Sequence, residues 1–355
     1  LYSDFFSVVL EGEADGLPLP GGYLLLADDE KTLSKRMEKD SYFVRVYAKN
    51  QMYTGKHIAT KLWVGDYTTG DTFEKFAQKA EGIKRIGVLR ADVDNLGQTF
   101  VAGFAGKYAT LSRTAALSRQ LSIFFKYYIR SILKNGEYHI DGEKKLTERN
   151  ATIVYSGGDD VFIVGAWNEV IELSIDLQEK FKKYTQGTLS ISSGIGIYEC
   201  TYPIGAIANE TGEMEAESKR MPEKDSVTFM DDGETHLINE LEICDGTYRW
   251  EELYKSVLGE KYDVIQDFLG ESDERGMSFL YRMLELIRNQ KEKINFARFV
   301  YLLSRLEPDK EGEKKEKYRK FSRKMYQWVQ SEKDCRELKT AINLYAYMHR
   351  EKGAH

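Results

Sequence analysis

The sequence predicts an α+β fold in three consecutive parts: a small β-rich linker region over residues 1–80, a ferredoxin-like domain over 81–232 and an all-α helical bundle over 233–355. Runs of β-branched and aromatic residues between turn residues predict the first part. Strand and helix patterns then follow a βαββαβ-like order, which is typical of a ferredoxin-like sheet with helices on one face. Beyond Gly233 the apolar residues recur at helical spacing.

Composition and charge limit the classes of protein to which the chain can belong. Its 355 residues are 42% apolar and 30% charged, which is ordinary for a globular protein of two or three domains. The net charge of −6 argues against a chain built uniformly to coat nucleic acid. Because no apolar run has the length of a membrane span and no secretory leader is evident, we expect a cytoplasmic protein without membrane contact. Because the first residue is Leu1 rather than Met, we expect a fragment or a trimmed form of the natural chain.

The first 80 residues contain three predicted strands, over 22–27, 42–47 and 58–64. Residues 17–22, in which prolines precede two glycines, predict a stiff segment and a turn, which we interpret as a domain boundary. A short helix over 72–80 leads into the central domain. The three cysteines of the chain lie far apart without metal-ligand spacing, so we expect reduced thiols and no zinc site.

The central domain opens with a predicted strand over 85–92 and a long helix over 111–133. An apolar stripe on this helix is typical of a core face rather than of a cofactor box; it comprises Leu117, Leu121, Phe124, Phe125, Tyr128 and Ile132. The polar stretch 141–150 predicts a solvated loop. The later elements predicted in this domain are a helix over 169–184, a strand over 189–198, a helix that Pro203 opens and a closing strand over 226–230.

The last 120 residues or so predict a helical bundle. We expect its amphipathic helices over 250–269, 277–287, 296–306, 318–329 and 338–348. Residues 310–324 hold eight Lys or Arg against three Glu. This segment is interpreted as a solvated face or a contact for a neighbouring subunit, with RNA phosphates as the alternative.

A Gly-rich turn between two predicted strands carries two adjacent acids. The runs 152–155 and 161–164 flank Ser156-Gly157-Gly158-Asp159-Asp160 and predict a β-hairpin. A hairpin needs a Gly-rich turn, but two like charges entering a buried strand are costly unless a cation neutralises them. The pattern by itself is equally typical of a Mg²⁺-binding tip, at which a phosphate chain approaches the glycine backbone, and of a solvated turn.

A second acidic pair follows the strand predicted over 85–92. Asp92 and Asp94 lie two residues apart, so on an extended strand both side chains would point to the same face. Carboxylates from two neighbouring strands that converge on one or two metal ions are the arrangement that nucleotidyl transfer requires. Together with Asp159 and Asp160, this pair predicts such a site.

The two motifs, Ala-Asp-Val-Asp-Asn-Leu-Gly over residues 91–97 and Ser-Gly-Gly-Asp-Asp over 156–160, resemble the second palm domain of the large subunit of type III-A, Csm-type, CRISPR effector complexes. The resemblance runs over most of the chain. It implies a palm similar to those of nucleotide cyclases and polymerases, which uses ATP with Mg²⁺ or Mn²⁺ to make cyclic oligoadenylate second messengers when the complex holds target RNA.

The resemblance also implies roles for particular residues. Asp92 and Asp159 would bind the metal, and Asp160 and Asp94 would complete its shell or orient water. The backbone at Gly157 and Gly158 would admit the phosphates, and the remaining members of the predicted nucleotide-binding set are Ser156, Asn95, Lys219 and Lys224. The two lysines match the helix-end lysine, and the lysine before the last strand, that contact the triphosphate in cyclase-like palms. Helix-dipole compensation and a solvated loop are the alternatives for these lysines.

The implied reaction needs two nucleotides, since the 3′-hydroxyl of one ATP attacks the α-phosphate of another and releases pyrophosphate. Residues 1–80 hold no second βαββαβ pattern, so the chain would supply half of a composite site, and the first palm domain would supply the other half. The further partners implied are the small filament subunits, the subunit that caps the crRNA 5′ end and, indirectly, crRNA and target RNA. No His-Asp nuclease motif occurs, so we expect no DNase activity from this chain.

Two other functions stay open at this point. A diguanylate-type cyclase would reach the same geometry by homodimerising, although its hairpin resembles Gly-Gly-Asp/Glu-Glu-Phe and this chain has Gly-Gly-Asp-Asp-Val-Phe over 157–162. A non-catalytic palm would serve only as a scaffold in a ribonucleoprotein. The intact acids of both motifs argue against a decayed site.

Overall fold

A computed structural model describes residues 3–10, 16–39, 43–50, 59–70, 72–142, 145–270, 275–288 and 293–350. Two sheets and a hairpin are followed by a block of helices, so the predicted α+β class is confirmed. Within the described residues, no helix is both long enough and apolar enough to cross a membrane.

The chain begins with a five-stranded sheet. Its strands are β1 (Phe5–Leu10), β2 (Leu17–Leu19), β3 (Tyr23–Asp28), β4 (Phe43–Lys49) and β5 (Thr60–Leu62), in the order β2-β3-β1-β4-β5. The last three overlap the predicted strands, of which residues 42 and 58 lie outside the described residues. The interpretation of residues 17–22 as a domain boundary is wrong, because β2 pairs with β3 across a turn in which Gly21 and Gly22 have positive φ. The helix α1 (Glu30–Lys39), which was not predicted, buries Leu33 in the core of this sheet.

A six-stranded sheet forms the centre of the molecule. Its strands are β6 (Ile86–Val93), β7 (Ala151–Ser156), β8 (Asp160–Ala166), β9 (Ile191–Tyr198), β10 (Ser226–Phe229) and β13 (Thr247–Arg249), in the order β13-β10-β9-β6-β8-β7. The central strand β6 is antiparallel to both β8 and β9, which is the ferredoxin-like arrangement, while β10 runs parallel to β9. Because β13 pairs outside β10, the prediction that β10 closes the sheet is wrong.

Helices cover both faces of this sheet. They are α2 (Phe73–Lys79), α3 (Leu96–Ala102), α4 (Leu111–Ile123), α5 (Ile129–Lys134), α6 (Trp167–Tyr184) and α7 (Ile204–Ser218). The helices α4, α5 and α6 share one core with Leu89 and Ala91 of β6, whereas α2 and α7 pack with Val88 from its other face. The prediction of helices on one face is therefore wrong. The close approach of α7 needs Gly194, because a Cβ there would meet the α7 backbone.

The long helix predicted over 111–133 is interrupted by a π-helical turn, Phe124–Tyr128, between α4 and α5. Leu121, Phe124 and Phe125 of the predicted stripe are buried, but the wider turn leaves Tyr128 exposed. The solvated loop predicted over 141–150 is wrong at its end, since Arg149 is buried and forms ion pairs with acids of α6.

Beyond Gly233 the chain is not all helix, which corrects the prediction. The hairpin β11 (Thr235–Ile238) and β12 (Leu241–Cys244) precedes β13. The helices that follow are α8 (Trp250–Glu252), a π-helical segment (Leu253–Tyr262), α9 (Asp263–Leu269), α10 (Arg275–Arg288), α11 (Lys293–Ser304), α12 (Glu313–Trp328) and α13 (Glu332–His349). They match the five predicted helices and share one hydrophobic core with the six-stranded sheet, so the domain division at residue 232 stays a prediction.

The basic segment over residues 310–324 lies mostly on α12. Several of its cations pair with acids of the same chain, as Lys315 and Arg319 do with Glu311, and Lys324 with Glu260 at 2.7 Å. These pairs neutralise part of the positive charge that RNA phosphates would need.

Candidate active site

The register of β6 and β8 brings the two acidic motifs together. Asp92 lies directly opposite Asp160 in the antiparallel pair, and opposite residues project to the same face of a sheet. Asp159 lies at the adjoining turn, where its carbonyl oxygen accepts a hydrogen bond of 3.2 Å from the amide of Val93. Three carboxylates are thus concentrated where the hairpin meets the end of β6.

The charges of these carboxylates affect one another. Burial, followed by the negative charges of Asp92 and Asp160, raises the pKa of Asp159, while the ammonium of Lys219 lowers it. A carboxylate whose pKa is raised by neighbouring anions is stabilised by any cation that binds close to it. The site therefore favours positive charge.

Lys219 already supplies a positive charge to this group. It follows the last residue of α7, and its Nζ contacts Oδ2 of Asp92 and lies 2.7 Å from Oε1 of Glu215. Burial opposes its charge, but hydrogen bonds to these two acids outweigh burial and raise the pKa of the ammonium. Glu215, which also pairs with Arg90 at 2.8 Å, was missed by sequence reasoning. Its position one helical turn before Lys219 was the available signal.

The donor set fits a divalent cation that is shared with a nucleotide. The described part of the chain holds no group of three or more His, Cys, Asp or Glu side chains that could bind a metal ion by themselves. Mg²⁺ is commonly bound by one or two carboxylates together with substrate phosphates and water. The opposed pair Asp92 and Asp160, with Asp159 beside it, has the donor type that the protein part of such a shell needs.

The two glycines of the hairpin differ in what they allow. The amide of Gly157 donates to the carbonyl of Asp160 at 2.8 Å, and a Cβ on Gly157 would collide with Asp160 Oδ1 and with the hydroxyl of Tyr155. Around Gly158 the space is open, since Ser122 Oγ at 3.5 Å is the nearest atom to such a Cβ. Gly157 is therefore needed for the turn, and Gly158 leaves room for an approaching group.

Tyr155 is a second residue that sequence reasoning missed. Its side chain is about half exposed at the edge strand β7, and the negative charge of Asp160 raises the pKa of its hydroxyl. Ser156, in contrast, donates its hydroxyl to the carbonyl of Phe125 in the π-helical turn. The structure thus directs Ser156 toward the helix and Tyr155 toward the acids.

The structure places Asp94, Asn95 and Lys224 together beyond the end of β6. Asp94 is 3% exposed, and its Oδ2 accepts hydrogen bonds from Ser190 Oγ at 2.7 Å and from the amide of Asp225 at 3.1 Å. Asn95 has a left-handed backbone with φ 54° and precedes α3, and its Oδ1 accepts from Lys224 Nζ at 2.7 Å. Asp94 is therefore a buried acceptor, unlike the part-exposed Asp92.

Comparisons with known proteins find family models and relatives to which the chain is similar. Residues 85–228 match the family model described as Cas10/Cmr2, second palm domain, and residues 266–351 match the CRISPR RNA silencing complex Cmr2 subunit, second helical domain. A relative from Mycobacterium tuberculosis, the CRISPR system single-strand-specific deoxyribonuclease Cas10/Csm1 of subtype III-A, is 41% identical over 98% of this chain. The chain spans 42% of that relative's length.

Solved structures show the same fold. A Csm1–Csm4 cassette in complex with cA4 superposes with a TM-score of 0.69 at 21% identity, and covers 96% of this chain and 48% of its own matched chain. A Csm1–Csm4 cassette in complex with one ATP gives a TM-score of 0.66 at 23% identity with the same coverage. The chain is thus similar to about half of each matched chain.

Proposed function

The chain belongs to the Cas10/Csm1 family of type III-A CRISPR subunits, and from this premise we propose that its palm domain supplies half of a site that makes cyclic oligoadenylates from ATP. The observation that carries the proposal is the opposition of Asp92 and Asp160 across β6 and β8, with Asp159 and Lys219 at the same point. This arrangement combines anionic metal donors with a cation that suits phosphates. The complexes of similar chains with ATP and with cA4 agree with it.

Each residue of the site has a separate role in the proposed nucleotidyl transfer. Asp92, Asp159 and Asp160 would hold a divalent cation, and such a cation would polarise the α-phosphate and lower the pKa of the attacking hydroxyl. Lys219 releases Asp92 and contacts the triphosphate instead, and Lys224 adds a second positive charge beside Asn95. The 3′-hydroxyl of one ATP gives up its proton to water and its oxygen bonds to the α-phosphorus of the other ATP, while the bond from that phosphorus to the bridging oxygen breaks and pyrophosphate leaves.

The second nucleotide is supplied from outside this chain. Gly158 faces open space at the hairpin tip, and the described residues contain a single sheet of the palm type. We therefore place the second nucleotide on a first palm domain, within a cytoplasmic complex whose other members include Csm4, the small filament subunits and the subunit that caps the crRNA 5′ end. We take the RNA strands to act on the site indirectly, and we assign the deoxyribonuclease activity in the relative's name to a part of that relative that this chain does not span.

Nucleotide titration tests the proposal. ATP and GTP are titrated calorimetrically with Mg²⁺ against the wild-type chain and an Asp159→Ala, Asp160→Ala variant. A matched control replaces the adjacent pair Asp231 and Asp232, which lies in the loop after β10, by alanine. We expect ATP binding that exceeds GTP binding and is lost only in the first variant, after which the assembled complex is assayed for cyclic products.

The other outcomes decide between the alternatives. Preferential binding of GTP would support a diguanylate-type cyclase. Failure of the wild-type chain to bind either nucleotide, together with an assembled complex that forms no cyclic product, would leave the scaffold function. An equal loss of ATP binding in the control pair would show that the effect is not specific to the hairpin.

A further inference from the structure

The loop before β10 has an unusual backbone. Glu223, Lys224 and Asp225 are three consecutive non-glycine residues with left-handed φ values of 70°, 55° and 48°. Each such residue is uncommon, and a run of three persists only where the surroundings hold it in place. A loop of this kind needs specific anchors.

The anchors converge on Asp225. Its amide donates to Asp94 Oδ2 at 3.1 Å, its side chain accepts from Gln178 at 3.3 Å, and its carbonyl accepts from the amide of Trp250 at 3.2 Å. Asp94 is held in turn by Ser190, through the hydroxyl at 2.7 Å and through a backbone bond of 2.9 Å to the Ser190 carbonyl. The second acid of the Asp-x-Asp motif is thus the link between the end of β6 and this loop.

From this geometry we propose that Asp94 is a positioning residue, and not a metal ligand, for the site described above. Its carboxylate fixes the left-handed loop so that the ammonium of Lys224, one residue before Asp225, is held 2.7 Å from Asn95 Oδ1 and beside the approach of the triphosphate. The inference rests on the proposed function, because it takes a nucleotide phosphate as the partner of Lys224.

The hydrogen-bond pattern offers a variant that separates the two roles. Both bonds that Asp94 accepts go to Oδ2, and Oδ1 is buried without a hydrogen-bond partner among the described residues. An asparagine oxygen accepts two hydrogen bonds, so Asp94→Asn retains the anchor while it removes the negative charge that a carboxylate would contribute to a metal ion. Asp94→Ala removes both.

The experiment measures ATP and AMP binding with Mg²⁺, and hydrogen exchange of the Asp225 amide, in the whole chain. We expect Asp94→Ala to weaken ATP binding about tenfold and AMP binding less than about twofold. Hydrogen exchange of the Asp225 amide should become faster, since the charge-assisted bond from this amide to Asp94 is lost. Asp94→Asn should stay within about twofold of wild type in all three. In a chain that already carries Lys224→Ala, Asp94→Ala should weaken ATP binding by a further factor of less than about two, because Asp94 acts through Lys224.

Several results would overturn the inference. One is an Asp94→Asn variant that loses ATP binding as Asp92→Asn does, and another is an additive effect of Asp94→Ala and Lys224→Ala.

If Asp94→Ala does not fold, Ser190→Ala replaces it and should give a smaller effect of the same pattern. Asp29→Asn, an acid that accepts a backbone hydrogen bond from Thr32 at the start of α1, is the matched control and should change none of these readouts. A wild-type chain without nucleotide binding, together with an assembled complex that forms no cyclic product, would refute the proposed function and the role of Lys224, and hydrogen exchange at Asp225 would then test only whether Asp94 anchors the loop.

Discussion

Replacement of Lys219 by methionine should shift two binding equilibria in opposite directions. In the structure this ammonium neutralises Asp92 and Glu215, next to the raised pKa of Asp159. Methionine keeps much of the length of the side chain and removes its charge. Divalent cations should then bind the nucleotide-free chain more tightly, because their competitor at Asp92 is gone, whereas ATP should bind more weakly.

The size of the effect follows from the type of contact. A hydrogen bond between charged groups contributes about 1.5–3 kcal/mol, and about a quarter of each side chain is exposed, so screening favours the lower end of that range. A change of about 1.5 kcal/mol corresponds to roughly tenfold in each dissociation constant. The direction, tighter for the cation and weaker for ATP, is more diagnostic than the size.

Calorimetric titration of Mn²⁺, and separately of ATP with Mg²⁺, measures both constants. Lys255→Met is the matched control, since Lys255 also pairs with a glutamate four residues earlier, Glu251, but lies on an exposed surface. The reasoning would be refuted if Lys219→Met weakened Mn²⁺ binding, or if the control reproduced both changes.

Two further substitutions test the electrostatics of the hairpin and the role of its serine. Asp159→Asn should raise the melting temperature at pH 7 and have no effect well below pH 4: the folded pKa of this carboxyl is raised, so its ionisation costs stability as pH rises through that pKa. Equal effects at both pH values, in paired thermal scans, would contradict this. Ser156→Ala should lower the free energy of unfolding by about 1–2 kcal/mol in urea titrations, because the Phe125 carbonyl loses its donor, and should change ATP affinity less than about twofold. A tenfold loss of affinity at unchanged stability would instead support contact between Ser156 and a phosphate.

The sheet and the hairpin could be predicted because their signals are local. Residues 191–198 and 160–166 combine β-branched residues with turn residues at their ends, and both form strands. The partner of a strand is not local in the same way. Thr247–Arg249 is only three residues long, and it is a strand because β10 offers an unpaired edge, which no pattern within three residues predicts.

Buried charge explains another failure of the sequence prediction. The stretch 141–150 is polar and therefore predicts a solvated loop, yet Arg149 is 1% exposed. Its guanidinium is compensated by Glu172 and by Asp176 at 2.8 Å, both of which lie on α6 more than 20 residues later. A charged residue predicts a solvent-exposed position only when no partner distant in sequence neutralises its charge. Such a partner is brought close by folding and cannot be identified from the local sequence pattern.

Asp94 shows most clearly where a correct rule stops applying. The period of two places Asp92 and Asp94 on one face only while the strand continues, and β6 ends at Val93. The left-handed Asn95 turns the chain into α3, and the buried carboxylate of Asp94 accepts from Ser190 and Asp225. One motif therefore contributes a carboxylate to the group that faces Asp160 and a second carboxylate to the loop that carries Lys224. Replacing the first should change the affinity for divalent cations, and replacing the second should change the affinity for ATP, although only one residue separates the two acids.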